Sequence, residues 1–445
     1  MQRPRDDIAN SLATEAFKGD YIYMYPPRQA YRPTDGAALA ERIRASLQAS
    51  NMLNLYLHFP FCRQICSFCN LYTNGSVRDE EVARYLAALE AEIAYWATQV
   101  ERPEIRTIYF GGGTPSLLPA AALGRVLDAV SRHFGCTLSD IPEVALEVSP
   151  ETVTAEGYRA LRAVGFNRVN LGVQTLADDE LAKFGRAYGG AVAGQSVEDA
   201  LAAGFDNVCV DLIFGLAGQS DASWLASLEA VLAMRPQTIC TYALTTRPQT
   251  GYAAKGYLEL DPALLYRRYD MARALLRKRG YMAENHVRYI ATAAGGYRQK
   301  ANHWAGENVL GLGAGARSYL RDCDFQNGYS LHRRRKILAD YIESVEKGES
   351  PITAGYIIDE DERRRKRVLL GLFALDRARY REEFSSDPRV DFAAEFDRLE
   401  RDGLVEIGED IIRLTERGAR FRENIVPLFF SKAAVAQSSG YAYQQ

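Results

Sequence analysis

Short apolar stretches alternate with longer segments of helical spacing between Leu53 and Thr245. The short stretches are nearly continuous in apolar and β-branched residues, as expected of strands that are covered on both faces. They are Leu53–Pro60, Arg106–Gly113, Val144–Pro150, Arg168–Thr175, Asn207–Gly215 and Thr238–Thr245. Several of the intervening helical segments open with Asp, Ser or Thr, which suit the capping position of a helix. They are Arg78–Thr98, Ala120–His133, Thr154–Val164, Asp178–Arg186, Ser196–Ala203 and Asp221–Met234.

This alternation predicts an α/β fold with a parallel sheet. Six strand and helix units are fewer than the eight that close a barrel, so we expect a partial (β/α)6 barrel of the TIM type. Ligands of such barrels bind at the carboxyl ends of the strands. We therefore expect the functional site at that end of the sheet.

The two ends of the chain follow other patterns. An aromatic stretch, Tyr21–Arg28, has neither helical nor strand periodicity and predicts an arm across the barrel mouth. Near the other end, Leu404–Gly408 and Ile411–Thr415 flank a turn and are preceded and followed by helical patterns, which indicates a winged-helix-like domain. The boundaries that we predict are 1–50 for the arm, 51–355 for the barrel and its extension, 356–432 for the winged-helix-like domain and 433–445 for a flexible tail.

Composition and charge restrict the class of protein. The 445 residues are 47% apolar and 25% charged and carry a formal net charge of −3, values typical of a globular enzyme. This charge gives no general attraction to nucleic acid or to a membrane, and the chain begins with polar residues. We therefore expect a cytoplasmic protein, monomeric, that acts on a small molecule. Two basic runs, residues 333–336 and 363–366, are expected to be solvated helix faces.

The seven cysteines fall into two groups. An odd number in a long chain argues against a disulfide framework and for metal binding or catalysis by some of them. Four are scattered singly, and we expect them to be inert: Cys136, Cys209, Cys240 and Cys323. Cys209 and Cys240 lie in predicted strands, where cysteine packs as a small hydrophobic side chain.

The other three, Cys62, Cys66 and Cys69, form a Cys-x3-Cys-x2-Cys array directly after the first predicted strand. Iron–sulfur clusters are held by cysteine thiolates, normally four, so three ligands would leave one iron open to an outside molecule. A structural zinc ion is the alternative. It requires four ligands, and no matching pair of cysteine or histidine residues follows nearby. The array therefore predicts a [4Fe–4S] cluster.

Further polar and glycine residues lie at the ends of the other predicted strands. Three glycines, residues 111–113, end the second strand, where they permit close approach of a ligand or simply a tight turn. Glu147 ends the third strand, and its carboxylate can accept hydrogen bonds from ribose hydroxyls. Gln174, Arg186 and Asp211 can converge on one zwitterion, and the alternative is that Arg186 and Asp211 form a structural ion pair. His58 could donate to a substrate, orient the cysteine loop or serve only in packing.

Seven ordered motifs resemble the radical S-adenosylmethionine superfamily, in the branch typified by oxygen-independent coproporphyrinogen III oxidase. They are Tyr56-Leu57-His58-Phe59-Pro60, the cysteine array, Phe110-Gly111-Gly112-Gly113-Thr114-Pro115-Ser116, Gly172-Val173-Gln174-Thr175, Gly185-Arg186, Asp211-Leu212-Ile213-Phe214-Gly215-Leu216 and Gly311-Leu312-Gly313-Ala314-Gly315-Ala316-Arg317-Ser318. The resemblance implies that Tyr56, Gly112 and Glu147 contact the S-adenosylmethionine bound to the cluster. It also implies a second S-adenosylmethionine, contacted by Phe68, Gly113, Thr114, Gln174, Arg186, Asp211 and Ala243.

Three departures from the family pattern bear on the reaction. The oxidases carry a further cysteine two places after the third cluster ligand, where this chain has Leu71. The haem-chaperone relatives carry a His-Asn-x-x-Tyr element that is missing from residues 299–304. Arg317 stands where the oxidase has an apolar residue and the chaperone a histidine, and we count it among the ligand-binding residues. The substrate end of the pocket should therefore differ from both.

Three functions are compatible with these features. The first is methyl or methylene transfer to an sp² carbon by the methylase subgroup, in which a radical formed from one S-adenosylmethionine takes hydrogen from the methyl group of the second. The second is oxidation or ring opening of a tetrapyrrole, for which Arg28, Arg32 and Arg317 could bind propionates. The third, which the departures disfavour most, is a haem chaperone. Either enzyme would need a one-electron donor of the flavodoxin or ferredoxin type.

Overall fold

A twelve-stranded sheet runs through the computed structural model, which describes residues 22–33, 36–75, 78–245, 250–256, 261–330 and 332–438. Its centre consists of six parallel strands that are neighbours in chain order. They are β1 (Met52–Phe59), β2 (Glu104–Gly112), β3 (Val144–Val148), β4 (Arg168–Gln174), β5 (Asn207–Phe214) and β6 (Thr238–Ala243). Every bound lies within two residues of the predicted one, and the partial barrel is confirmed.

The helices of this part alternate with the strands and cover them. They are α1 (Gly36–Ala49), α2 (Asp79–Ala97), α3 (Ala120–Phe134), α4 (Ala155–Ala163), α5 (Asp178–Lys183), α6 (Gly190–Ala202) and α7 (Asp221–Met234). Helix α6 begins six residues before the predicted start. A Cβ on Gly190 would lie 1.9 Å from the carbonyl oxygen of Leu176, so glycine lets this helix start close to the preceding loop. Short 3₁₀ turns occur at Arg28–Ala30, Pro115–Leu117, Leu138–Asp140, Pro150–Thr152, Ala293–Gly295 and Val426–Phe429.

Both edges of the six-stranded centre are extended by further strands. These are β7 (Met282–Ala283), β8 (Arg288–Ile290), β9 (Asn308–Leu312), β10 (Arg317–Tyr319), β11 (Cys323–Gln326) and β12 (Ala354–Ile357). Strand β9 pairs in parallel with β1 and is followed by antiparallel β10, β11 and β12, whereas β8 and β7 continue the sheet beyond β6. The accompanying helices are α8 (Gly251–Ala254), α9 (Pro262–Lys278), α10 (Arg298–Trp304) and α11 (Arg334–Glu346). The extension places Arg317 on β10, which β9 separates from the first barrel strand.

The C-terminal domain has a small core of its own and the element order of a winged helix. Its three-stranded antiparallel sheet has the order β13, β15, β14, and β14 and β15 form the wing. The elements are α12 (Glu360–Gly371), β13 (Leu375–Asp376), α13 (Arg377–Phe384), α14 (Pro388–Asp391), α15 (Ala393–Arg401), β14 (Val405–Ile407), β15 (Ile411–Leu414), α16 (Glu416–Arg420), α17 (Arg422–Ile425) and α18 (Lys432–Ser438).

Two expectations about the chain ends need correction. The predicted arm includes helix α1, whose Leu39 and Ile43 are buried in the barrel core. The predicted flexible tail is wrong for residues 433–438, because they belong to helix α18 and Ala434 is fully buried. The rest of that tail, residues 439–445, lies outside the described residues, as do residues 1–21. No helix of the described chain is long and apolar enough to cross a membrane.

The basic run at 363–366 joins the two domains instead of facing solvent. Arg363 forms an ion pair with Asp322, at 2.5 Å, and Lys366 forms one with Asp324, at 2.8 Å. Both aspartates belong to the barrel extension and are buried. The prediction of a solvated face is therefore wrong for this run, because the acidic partners are distant in sequence and could not be inferred from local composition.

Candidate functional site

The cysteine loop leaves β1 and returns to lie beside its own start. Residues Phe61–Cys62 pair in parallel with Asn74–Gly75, and the N–H of Asn74 donates to the carbonyl oxygen of Pro60 at 2.6 Å. Within the loop, the N–H of Cys69 donates to the carbonyl oxygen of Cys66 at 3.0 Å. This short ladder holds Cys62, Cys66 and Cys69 together at the carboxyl end of the barrel.

All three cysteines are reduced and half-buried. Burial raises the pKa of Cys62 and of Cys66, and it raises the pKa of Cys69 to about 12. Cys62 Sγ lies 3.5 Å from the hydroxyl of Thr114. The three sulfurs do not gather within the 4.8 Å that single-ion ligand sets span. The loop therefore suits a group larger than one metal ion, as the array predicts.

His58 anchors the loop to β1. Its Nε2 lies 2.8 Å from the carbonyl oxygen of Tyr72, and its Nδ1 lies 3.1 Å from the hydroxyl of Tyr56. Burial lowers the pKa of His58 to about 4, so the ring is neutral. A carbonyl can only accept, so Nε2 carries the proton and Nδ1 accepts from Tyr56. Because both nitrogens are engaged within the protein, the geometry supports the loop-orienting role for His58 among the three roles considered.

Arg334 holds the far end of the same loop. Its guanidinium donates to the carbonyl oxygens of Leu71, at 3.0 Å, and Thr73, at 2.8 Å. The hydroxyl of Tyr72 donates in turn to the carbonyl oxygen of Arg334. The prediction of a solvated basic run is thus wrong for Arg334. No local signal in the sequence reveals this contact.

Gly112 and Gly113 occupy positions where no side chain fits. Gly112 has φ +109°, and a Cβ there would lie 2.5 Å from the ring of His58. A Cβ on Gly113 would lie 2.6 Å from the carbonyl oxygen of Phe61. The N–H of Thr114 donates to that same carbonyl oxygen at 2.7 Å. The glycines therefore bring the end of β2 against the cysteine loop, a close approach rather than a simple turn.

The side chain of Glu147, near the end of β3, contacts Tyr109 and Gly112 at the end of β2. Its carboxylate accepts hydrogen bonds from the hydroxyl of Tyr109, at 2.9 Å, and from the N–H of Gly112, at 3.0 Å. Burial raises the pKa of Glu147. The ring of Tyr56 stacks on that of Tyr109, with centroids 5.9 Å apart. None of the sequence motifs includes Tyr109, although strand alternation places it on the same face as Gly111.

Gln174 and Arg186 lie together at the end of β4. Gln174 adopts φ +69°, and its Nε2 is close to Gly172, where a Cβ would be 2.8 Å away. Arg186 donates to the hydroxyl of Ser149 at 2.9 Å, and its buried Nε has no hydrogen-bond partner among the described residues. Cys66 raises the pKa of Arg186 against the opposing effect of burial. The guanidinium therefore faces the cysteine loop.

Asp211 lies on β5, next to Leu212, which is the register partner of Gln174. It is two residues beyond Cys209 on β5 and pairs in register with Cys240 on β6. The two thiols are 3.7 Å apart, and Cys209 Sγ lies 3.8 Å from Asp211 Oδ1. Arg186 and Asp211 form no ion pair with each other in the described part of the chain, so the structure does not support that alternative. Cys209 and Cys240 are buried in strands as predicted, and they also lie next to each other.

Phe68 and Ala243 lie near the end of β6. The ring of Phe68 packs edge-on against Phe184, at a centroid distance of 4.9 Å. Ala243 is the last residue of β6 and pairs in register with Phe214. Both residues are half-buried; Phe68 borders a small apolar cluster that includes Leu244, whereas Ala243 packs against the barrel core. They supply apolar contact area at the rim rather than polar contacts.

Arg317 lies inside the barrel at its extended edge. Its guanidinium donates to the hydroxyl of Tyr23 and to the sulfur of Met24. No carboxylate of the described residues forms an ion pair with it. Burial and the charge of Glu147 raise the pKa of Tyr56, whereas the charge of Arg317 lowers it. Arg317 and Glu147 therefore both lie within electrostatic range of Tyr56.

Of the other arginines considered for propionates, Arg28 stacks over the ring of Tyr329, with 3.6 Å between Cζ and the ring centroid. Arg32 is instead bound to main-chain carbonyl oxygens, among them those of Gln29 and Tyr31. Lys300 approaches the same region, since its Nζ lies 4.4 Å from the centroid of Tyr23. Burial and neighbouring arginines lower the pKa of Lys300 well below its usual value, so the permanent cations considered at this end are Arg317 and Arg28.

Comparison with protein families gives two matches. Residues 56–231 match the model of the radical SAM superfamily, and residues 358–421 match the HemN C-terminal domain. The fold superposes on Escherichia coli coproporphyrinogen III oxidase (HemN) with a TM-score of 0.79 at 24% identity, covering 92% of this chain and 96% of that one. This confirms the predicted fold.

Curated relatives agree with these matches. The heme chaperone HemW of Bacillus subtilis is 28% identical over 389 residues, or 86% of this chain and 100% of the relative. The heme chaperone HemW of Mycobacterium tuberculosis is 35% identical over 272 residues, or 60% of this chain and 69% of the relative. The oxygen-independent coproporphyrinogen III oxidase of Bradyrhizobium diazoefficiens is 28% identical over 384 residues, or 82% of each chain. This chain therefore belongs to the radical S-adenosylmethionine superfamily, in the branch that includes HemN and HemW.

Proposed function

We propose that this chain is a radical S-adenosylmethionine protein whose barrel accepts a tetrapyrrole with carboxylate side chains. The single observation that carries the tetrapyrrole part is Arg317, a half-buried charge with which no carboxylate of the described residues forms an ion pair. A buried charge without a counterion is costly. A ligand carboxylate would remove that cost.

Family membership implies a [4Fe–4S] cluster, and the residues present fit one. Cys62, Cys66 and Cys69 offer three half-buried thiols that are too far apart for a single-ion site. Three protein ligands leave one iron for S-adenosylmethionine. When bound, the cluster supplies the electron that cleaves S-adenosylmethionine. The predicted donor of that electron is a flavodoxin- or ferredoxin-type protein.

The residues around Gly112 support binding of one S-adenosylmethionine beside the cysteine loop. The N–H of Gly112 donates to Glu147 and so fixes the position of that carboxylate. Glu147 can accept hydrogen bonds from ribose hydroxyls while Tyr109 holds the carboxylate in place. The half-buried ring of Tyr56 would border the same ligand.

The relatives' names favour a tetrapyrrole as the second ligand. HemW is named a heme chaperone, and the other relative is named a coproporphyrinogen III oxidase. Both ligands are tetrapyrroles with carboxylate side chains. Because Leu71 stands where the oxidases carry a cysteine, we propose binding in the manner of HemW without decarboxylation. Arg317 would bind a propionate, with Arg28 adding positive charge nearby.

The relatives do not support methyl transfer, the first of the three functions that are compatible with the sequence. Of the residues expected to bind a second S-adenosylmethionine, Gln174 and Asp211 lie on neighbouring strands, but Arg186 and Asp211 form no ion pair in the described part of the chain. Nothing among these contacts favours two molecules over one. We therefore propose a single S-adenosylmethionine.

The proposal is tested by titrating the cluster-loaded protein anaerobically with haem and with coproporphyrin III, following the Soret band. Arg317→Gln should weaken both by roughly ten-fold or more, as loss of a charge-assisted hydrogen bond predicts. Arg317→Lys should recover part of the affinity. The matched control is Arg321→Gln, which removes a half-exposed guanidinium from the same edge of the barrel.

A porphyrin without carboxylates, such as octaethylporphyrin, separates carboxylate recognition from apolar adsorption. It should bind more weakly than coproporphyrin III and be insensitive to Arg317→Gln. Equal binding of both porphyrins, with no effect of Arg317→Gln, would contradict the proposed role of Arg317. Decarboxylation of coproporphyrinogen III during turnover would assign the chain to the oxidases.

A further inference from the structure

Cys209, Asp211 and Cys240 form a ligand set that the cluster chemistry does not use. Alternate residues of a strand share one face, so Cys209 and Asp211 point the same way from β5. Cys240 on β6 is the register partner of Asp211 and brings its thiol to the same point. One ligand atom from each residue lies within 4.8 Å of the other two, a grouping found at one place among the described residues.

The distances match the size of one metal ion. Two thiolates bound to zinc at about 2.3 Å with a tetrahedral angle lie about 3.8 Å apart. The observed separation of the two sulfurs is 3.7 Å, and Asp211 Oδ1 is 3.8 Å from Cys209 Sγ. A disulfide would require about 2.05 Å, so the pair is a reduced dithiol with room for an ion between its members.

We propose that Cys209, Cys240 and Asp211 bind a zinc ion inside the barrel. Two thiolates and one carboxylate suit zinc, whereas magnesium and calcium prefer oxygen ligands alone. Three protein ligands leave a fourth position for water or another ligand. Both thiols are 1% exposed, while Asp211 is half-buried, so the open position lies on the Asp211 side, toward the barrel interior. On binding, the thiol protons pass to solvent.

The charges around the set permit a divalent cation despite two nearby arginines. Arg168 lies 3.5 Å from Glu143, and Arg288 lies 2.6 Å from Glu284. Each guanidinium is therefore balanced by its own carboxylate. The ion would neutralise two of the three negative charges of its ligands and leave a net charge of −1 at the site.

This assignment also gives Asp211 a role other than the one that the family resemblance implies. A carboxylate that binds zinc is not available to the amino group of a second S-adenosylmethionine. Zinc loading and binding of a second S-adenosylmethionine at Asp211 should therefore exclude each other. The proposal stands independently of the tetrapyrrole proposal, because it uses none of the same residues.

The test uses the full chain with its cluster reconstituted, incubated with Zn²⁺ alone under anaerobic conditions and then desalted. We expect about one zinc per chain beside about four iron. Zinc X-ray absorption should show two sulfur neighbours at about 2.3 Å and the rest oxygen or nitrogen. The double variant Cys209→Ser, Cys240→Ser should lose the zinc and keep the iron. The control Cys323→Ser, which changes another fully buried thiol, should keep both.

Two results would overturn the proposal. One is the absence of zinc beyond the cluster iron in the wild-type protein. The other is three sulfur neighbours around the zinc, which would place it in the loop of Cys62, Cys66 and Cys69. Because the X-ray absorption measurement uses the wild-type chain, it decides the question even if the double variant fails to fold.

Discussion

The Glu147 carboxylate accepts a hydrogen bond from the backbone N–H of Gly112 at 3.0 Å and thereby joins the ends of β3 and β2. Its other oxygen accepts from the hydroxyl of Tyr109 at 2.9 Å. Neither donor can be replaced by water easily, because Gly112 and Tyr109 are buried. Glu147 therefore sets the shape of the proposed S-adenosylmethionine site even before the ligand binds.

Replacing Glu147 by glutamine should weaken S-adenosylmethionine binding by roughly ten-fold or more, since an unsatisfied buried group costs about 1–3 kcal/mol. The amide can present its oxygen to only one of the two donors. Equilibrium dialysis with the cluster-loaded protein measures the effect. The control is Glu156→Gln, an exposed position on the helix that follows β3. An unchanged affinity of Glu147→Gln for S-adenosylmethionine would show that Glu147 does not contribute to the binding site.

The cysteine loop makes a separate prediction about iron content. Anaerobic reconstitution should give about four iron and four sulfide per chain. Cys62→Ala, Cys66→Ala and Cys69→Ala should each lose most of it, whereas Cys136→Ala should not. Cys136 is half-buried beyond the end of α3 and far in sequence from the loop. A full cluster with unchanged cleavage of S-adenosylmethionine in any of the three loop variants would show that the ligand assignment is wrong.

The barrel could be predicted because its signals are local. Each of the six strands is a continuous apolar run, and each following helix has its own periodicity, so no long-range contact was needed to place them. The cysteine loop is equally local, since its three thiols lie within eight consecutive residues, 62–69. Boundaries shifted mainly where glycine allowed tighter packing, as at Gly190.

Pairings between distant residues could not be predicted in the same way. Cys209 and Cys240 are 31 residues apart and meet only because β5 and β6 are neighbours in a particular register. Arg334 reaches the cysteine loop across more than 260 residues. Asp211 and Arg186 have complementary charges, yet other partners hold each of them. Charge and spacing alone do not decide which of several possible partners a buried group contacts.

The buried ion pair between Lys366 and Asp324 predicts a pH-dependent stability. Burial raises the pKa of Asp324 to about 6, although Lys366 lowers it. Because this pKa is above that of the unfolded chain, the protonated carboxyl stabilises the fold at low pH, and this contribution is lost as the pH rises through about 6. Above that pH the ammonium must compensate the buried charge. Lys366→Met should therefore cost more stability at pH 8 than at pH 5.

Denaturant unfolding at the two pH values measures this difference. At pH 8 the expected loss is about 3–5 kcal/mol, as for other broken buried pairs. The control is Lys336→Met, which removes an exposed pair with Asp340 on α11 and should cost about 0.5 kcal/mol at either pH. A loss for Lys366→Met that is equal at pH 5 and pH 8 would show that the charge of Asp324 is not what Lys366 compensates.

The source of the hydrogen in 5′-deoxyadenosine distinguishes the proposed function from methyl transfer. Methyl transfer requires a second S-adenosylmethionine whose methyl group gives up hydrogen, and a clamp for that molecule would need Arg186 and Asp211 to converge. Instead, Ser149 binds Arg186, and Asp211 lies with Cys209. With methyl-deuterated S-adenosylmethionine we therefore expect 5′-deoxyadenosine without deuterium and no S-adenosylhomocysteine. Mass spectrometry of the products measures both, and deuterium transfer together with S-adenosylhomocysteine would establish methyl transfer.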